Sequence, residues 1–180
     1  DPKIKLKLNQ VNFKLNPSNF EFEIFTLDPQ ILINKKKVDL EIIKSDLNLL
    51  DYFNNKNPIS KISIISKESN IDQFTDFINE YDFNLARNLI FKQIKKGKVK
   101  IISNINFSKK NPKNIKYIIN GYVKDAEIKL LNQSKIENIK FNFFVDQDFI
   151  NLNKIELIFD KIFVSSEKVN IKKINNYFDI

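Results

Sequence analysis

Apolar and polar residues alternate with period two along most of this chain, and that pattern limits the fold more than any other feature. "IKLKL" sets Ile4, Leu6 and Leu8 on one side and lysines on the other. "FEFEIF" repeats the pattern with Phe20, Phe22 and Ile24 against Glu21 and Glu23. Val38, Leu40 and Ile42 follow, then Ile62 and Ile64, Val99 and Ile101, and Ile139, Phe141 and Phe143. A strand points successive side chains to opposite faces, so strict alternation marks half-buried strands, and β-branched and aromatic residues suit them. The spacing between runs is about ten residues, too short for a helical crossover, so neighbouring strands are antiparallel. The expected fold is mainly β: an antiparallel sheet of about ten strands, with short helices where the alternation fails.

The links agree with this reading. "LNPSN", "LDPQ", "NKNP" and "KKNPKN" are turn sequences. Period two fails in two places. Leu47, Leu50 and Phe53 suggest a short helix around 46–54. Ile71, Phe74, Ile78, Leu85, Leu89 and Ile94 have helical spacing, which predicts a helical insertion over about 70–96 that ends at Lys95-Lys96 with Gly97 as its C′ residue. No linker divides the chain, so residues 1–180 read as one domain or one piece of a longer chain. The chain starts at Asp1 rather than Met, as an excerpt or a processed chain does.

A surface estimate sharpens the problem. Ten strands about 4.8 Å apart and ~25 Å long present an apolar face of roughly 1,200 Å². About 25 helical residues cover roughly 400 Å² of it. The remainder must curl into a sandwich or barrel, pack on another part of the protein, or hold an apolar ligand. Curling is suggested by "YIINGYVKDAEIKL". Ile119 and Val123 keep one phase, whereas Ala126, Ile128 and Leu130 keep the opposite one. A change of phase at Lys124-Asp125, just after Gly121, fits a β-bulge or sheet corner, with glycine allowing a bend or a close backbone approach. A short turn between two strands produces the same pattern. A second slip lies near Asn153-Lys154.

Several kinds of chemistry are removed by composition. The chain has no cysteine and no histidine, so thiol chemistry, the commonest metal ligand and the usual neutral-pH base are missing. No catalytic residues, metal site or cofactor are expected. Asp125 with Glu127 reads as surface pairing, and Asp146 with Asp148 as turn chemistry rather than a calcium loop. The net charge is +8, but Arg87 is the only arginine, and the lysines are spread along the solvent phase of the strands. The 17 phenylalanines fall largely in the inward phase, away from those lysines. Nucleic acid is therefore not an expected partner. No apolar run approaches the roughly 18–20 residues needed to span a bilayer as a helix.

From Lys95 onward the order is G-x-V, an apolar strand ending in Phe, a loop, Y-x-I-x-G-x-V-x-D-A-x-I-x-L and K-I-E-N-I-x-F-x-F. This resembles AsmA-like proteins of the Gram-negative envelope, the group that includes TamB and YhdP and is related to bridge-like lipid transfer proteins. The resemblance runs roughly from Leu32 to Phe178. It implies that residues 1–180 are one segment of a larger elongated protein: a periplasmic, curved, groove-like (taco-shaped) antiparallel β-sheet, held to the inner membrane by an anchor outside this sequence. It also implies an apolar interior that conducts phospholipid acyl chains towards the outer membrane, continued by neighbouring segments of the same chain. On that reading the groove lining is Val38, Leu40, Ile42, Ile62, Ile64, Val99, Ile101, Ile119, Val123, Ile128, Leu130, Ile139, Phe141 and Phe143. The bend lies at Gly121, Lys124 and Asp125. The alternative is a sheet closed on itself, a structural or protein-interaction module of the envelope without lipid cargo.

Overall fold

A computed structural model describes residues 4–33, 36–74, 94–111, 114–130, 134–174 and 177–179. The strands are β1 (Ile4–Lys7), β2 (Gln10–Asn16), β3 (Glu21–Leu27), β4 (Gln30–Ile33), β5 (Lys36–Asn48), β6 (Ile59–Ser66) and β7 (Ser69–Asn70). They continue with β8 (Ile94–Phe107), β9 (Ile115–Lys129), β10 (Lys135–Val145), β11 (Phe149–Phe159), β12 (Ile162–Ile174) and β13 (Tyr177–Asp179). A short helix, α1 (Leu49–Phe53), joins β5 to β6.

All thirteen strands belong to one antiparallel sheet. β3 and β4 lie end to end along β5, β1 and β2 lie end to end along β4 and β3, and β6 and β7 both pair with β8. The strands thus form ten rows in an up-and-down meander, matching the sequence expectation. The first row (β1 and β2) and the last (β13) do not pair with each other, so the sheet is open. Extensive contacts between elements of the described residues join only hydrogen-bonded neighbours, so no second layer of strands covers either face. The surface area reflects this. The chain exposes 12534 Å², whereas a compact monomer of 21.3 kDa exposes roughly 9,100 Å².

A line of irregularities crosses the sheet from the second row to the eighth. It passes through Asp28, Glu41, Lys67-Glu68, Gly97, Asp125, Asn138 and Lys154. Five of these have positive φ: Asp28 (49°), Gly97 (128°), Asp125 (51°), Asn138 (52°) and Lys154 (52°). Register slips accompany them. One residue is extra in β5 between Leu40 and Ile42, in β9 between Val123 and Ala126, in β10 between Ile136 and Ile139, and in β11 between Asn153 and Glu156. Each bulge bends its strand and reverses the phase of the residues after it. When neighbouring strands bulge side by side, the separate kinks add into one crease.

Burial tracks the crease. Thr26, Pro29, Val38, Leu40, Ser66, Ile71, Val99, Val123, Ala126 and Ile139 are buried and lie within a few residues of it, whereas the remaining buried side chain among the described residues, Asp51, lies in α1. Ile71, Val99, Val123, Ala126 and Ile139 form one cluster, with Phe74, Ile101, Phe141 and Phe143 packed against it. Ile71 directly follows β7, and its N–H donates to the Gly97 carbonyl at 3.0 Å.

The structure corrects two expectations about helices. Lys96 and Gly97 do not end a helix but lie inside β8, which starts at Ile94. A Cβ on Gly97 would sit 2.8 Å from Ala126 Cα and Cβ, so this glycine permits two rows to meet closely at the crease. Of the expected 70–96 insertion, residues 72–74 form a helical turn and 75–93 lie outside the described residues. The expected 46–54 helix shortens to α1, because Asp46 to Asn48 remain paired with β3. Asn48 caps α1, its side chain accepting from the Asp51 N–H at 3.2 Å.

The left-handed backbone at Asp125 makes a direct test of the crease. Asp125→Gly is expected to leave stability within about 0.5 kcal/mol, since glycine adopts this conformation freely, whereas Asp125→Val costs roughly 1–2 kcal/mol. Urea unfolding monitored by circular dichroism checks both. Equal losses for the two variants would show that Asp125 does not hold the bulge.

Candidate functional site

Directly paired residues share a sheet face, so the registers assign every row. On the inner face, Ile43 pairs with Ile64, Ile62 with Ile105, Ile101 with Gly121, Val99 with Val123 and Gly121 with Phe143. The same face continues through Phe143 to Leu152 and Val169, and through Leu157 to Val164. It is predominantly apolar across nine rows, interrupted by Thr26, Ser45, Ser66, Ser103 and Tyr117. The outer face carries Glu23, Lys44, Asp46, Lys61, Asn104, Lys100, Lys98, Tyr122, Lys124 and Asn142 at the intervening positions.

Twelve of the fourteen sequence candidates fall on the inner face: Val38, Leu40, Ile62, Ile64, Val99, Ile101, Ile119, Val123, Ile128, Ile139, Phe141 and Phe143. They do not share one environment. Leu40 and Val99 are buried (2% and 4% exposed), whereas Ile62, Ile64, Ile101, Ile119, Phe141 and Phe143 are half-buried. Leu130 lies just beyond β9 and is exposed. Ile42 is on the other face. The extra residue at Glu41 reverses the phase, so Ile43 takes the inner position, and Ile42 joins Leu27, Ile65 and Ile102 in an outer aliphatic ladder.

The bend residues separate similarly. Asp125 and Lys124 lie at the bulge as expected. Gly121 does not: it sits in regular pairing between Ile101 and Phe143. A Cβ there would meet the Lys100 carbonyl oxygen at 2.0 Å and Phe143 Cζ at 2.8 Å. Its role is close approach, allowing the Phe143 ring to lie over the backbone. The other sequence suggestions resolve into local structure. Asp146 Oδ1 accepts from the N–H groups of Asp148 and Phe149, at 2.9 and 2.8 Å, and so closes the β10–β11 turn. Glu127 pairs with Lys96 at 3.0 Å.

Away from the crease the inner face opens. Leu6, Val11, Phe13 and Leu15 in the first row are exposed, Phe13 by 60%. Phe159, Ile162 and Val164 are exposed near the opposite side. Sequence reasoning missed these edge positions as lining, although their alternation is the same. It had no signal for which rows would be outermost.

The outer face braces the crease. Asp28 pairs with Lys67 at 2.7 Å and Glu41 with Lys100 at 2.7 Å. Glu68 accepts from Tyr122 Oη at 2.7 Å and meets Lys124 at 3.4 Å and Lys98 at 3.5 Å. Asp28 to Lys67, Glu41 to Lys100 and Glu68 to Lys124 each span from one row to the next but one. Two rows are about 9.6 Å apart, a gap that a lysine and a carboxylate reach together. The Tyr122 hydrogen bond, followed by Lys124 and Lys98, holds the Glu68 carboxyl below its ordinary value. The Lys44 hydrogen bond does the same for Glu23, and bonds to Asp28 and Glu41 raise Lys67 and Lys100.

No model of a known family, no curated protein and no solved structure matches the chain. Among the described residues no helix is long and apolar enough to cross a membrane, and no cluster of acidic side chains has the makings of a metal site. The site is therefore characterised by its own geometry: a broad apolar inner face, closed at the crease and open toward both sides.

The lowered carboxyl values set a pH dependence. Glu68 and Glu23 bind protons more weakly in the folded chain than in the unfolded one, so their contribution is present above the ordinary value of 4.5 and is lost as pH falls through the lowered folded values. Thermal stability is expected to hold near neutrality and decline below about pH 4.5, and Glu68→Gln should flatten that decline. An identical acid limb in the variant would remove Glu68 from the brace.

Proposed function

We propose that this chain is a segment of a periplasmic AsmA-like protein whose inner face shields phospholipid acyl chains in passage between inner and outer membranes. The observation that carries this reading is the inner face itself: predominantly apolar across nine rows, half-exposed away from the crease, with no opposing layer of strands among the described residues. Covering a half-exposed Ile or Phe gains on the order of 1 kcal/mol, half of what full burial gives. A tail laid along several of them is held without any directional bond, so it is retained yet free to slide. No covalent step occurs, and the segment is not an enzyme. The lysines and carboxylates of the outer face keep the sheet in water while the inner face holds lipid. The open first and last rows let neighbouring segments of the same chain extend the trough, and an anchor outside this sequence ties it to the inner membrane. The resemblance of the Lys95–Val145 region supports the same reading. A sheet closed on itself loses its support, because the outermost rows do not meet.

Native mass spectrometry of the purified chain tests the proposal, with co-purifying phospholipid expected. Ile101→Asp places a charge on the inner face and is expected to abolish capture, whereas Ile42→Lys, on the outer face one row pair away, leaves it intact. A folded, lipid-free wild type that melts sharply would falsify the acyl-chain reading and favour a protein-interaction module.

A further inference from the structure

One end of the sheet carries a feature that the groove does not use. The α1 segment, "LLDYFNNKNP", exposes Tyr52 and Phe53 by 65% and 73%, with Leu50 beside them and Phe20 exposed on the adjacent β2–β3 turn. The two rings meet edge to face at 5.8 Å. The apolar side chains are displayed on a pinned scaffold. Asn48 caps the helix, the Leu49 N–H donates to the Phe20 carbonyl at 3.0 Å, and the Asn57 N–H donates to the Lys109 carbonyl at 3.3 Å. The only carboxylate of this segment, Asp51, is buried and paired with Lys109 at 2.7 Å. The outward side is thus aromatic and mainly cationic: Tyr52, Phe53 and Lys56 are exposed, as is Lys110 on the adjoining β8–β9 turn, and the exposed carboxylate at this end is Glu21, paired across the sheet with Asn48.

We infer that this tip docks on the interface of an anionic lipid bilayer. Aromatic rings of this kind sit at the headgroup level, and lysines beside them favour anionic headgroups. The exposed charges beside the rings, Lys56 and Lys110 against the single carboxylate Glu21, leave a net positive rim that anionic headgroups complement. Rigidity favours the same occupant, since a pre-formed tip loses little conformational freedom on docking. The inference stands on the tip's own geometry and does not require the groove to hold lipid. If both hold, the tip brings one end of the trough to a membrane surface.

Vesicle flotation of the full chain tests it, with phosphatidylcholine vesicles either pure or about one third phosphatidylglycerol. Binding is expected to the anionic vesicles and to weaken with salt. Tyr52→Ser with Phe53→Ser is expected to weaken binding at least tenfold with an unchanged circular dichroism spectrum and melting temperature, because both side chains are exposed. Lys56→Glu with Lys110→Glu is expected to remove the preference for anionic vesicles. Because the chain has no tryptophan, Phe53→Trp supplies a single reporter whose emission shifts to the blue on binding. Absence of wild-type binding overturns the inference, as does unchanged binding of the serine variant or equal binding to neutral vesicles. Native mass spectrometry of the serine variant separates the two proposals. Phospholipid retained while vesicle binding is lost shows that tip and groove act independently, and its absence from every form counts against the groove alone.

Discussion

The structure depends on one backbone constraint: adjacent strands must stay hydrogen-bonded while the sheet turns through a crease. A single bulge in a flat sheet disrupts its ladder with both neighbours. Here each row from the second to the eighth absorbs an irregularity near the same level, so the ladders resume on both sides and the kinks add. The residues at the crease suit this geometry. Aspartate and asparagine tolerate left-handed backbone, and Gly97 opposite Ala126 lets two rows approach more closely than larger side chains permit.

Packing and electrostatics then divide between the two faces. Inside the crease, buried Val99, Val123, Ala126 and Ile139 close against Ile71, giving a core where the sheet bends most. Outside it, carboxylate–lysine pairs reach across alternate rows. Exposed pairs of this kind add little stability individually. Their placement along the bend means that together they act on its angle, and therefore on how far the inner face opens. An open apolar face is what an acyl chain requires, and the same physics explains why the chain exposes far more surface than a compact monomer.

Much of this was legible in the residues. Alternation identified the strands and their antiparallel order, and the phase change after Val123 located the bulge at Asp125. Other parts were hidden for physical reasons. The doublets Ile42-Ile43, Ile64-Ile65 and Ile101-Ile102 put an apolar residue on each face, so alternation alone could not select the inner member. At Ile42 the bulge at Glu41 reversed the answer. Gly97 after two lysines has the pattern of a helix end, and only its pairing neighbours show a strand. Gly121 lies in regular pairing because its function is steric, set by Lys100 and Phe143 on the two adjacent rows.

Period-two patterning, turn chemistry and the lack of thiol and imidazole groups are local properties, and the sequence alone determined from them a mainly antiparallel sheet, more apolar on one side, without cysteine or histidine chemistry. Whether that sheet closes on itself, which rows form its edges, and how separate bulges align into one crease depend on register between residues far apart in the chain. Pairing partners, rather than any residue's own preference, set those features, so only the tertiary structure decided them.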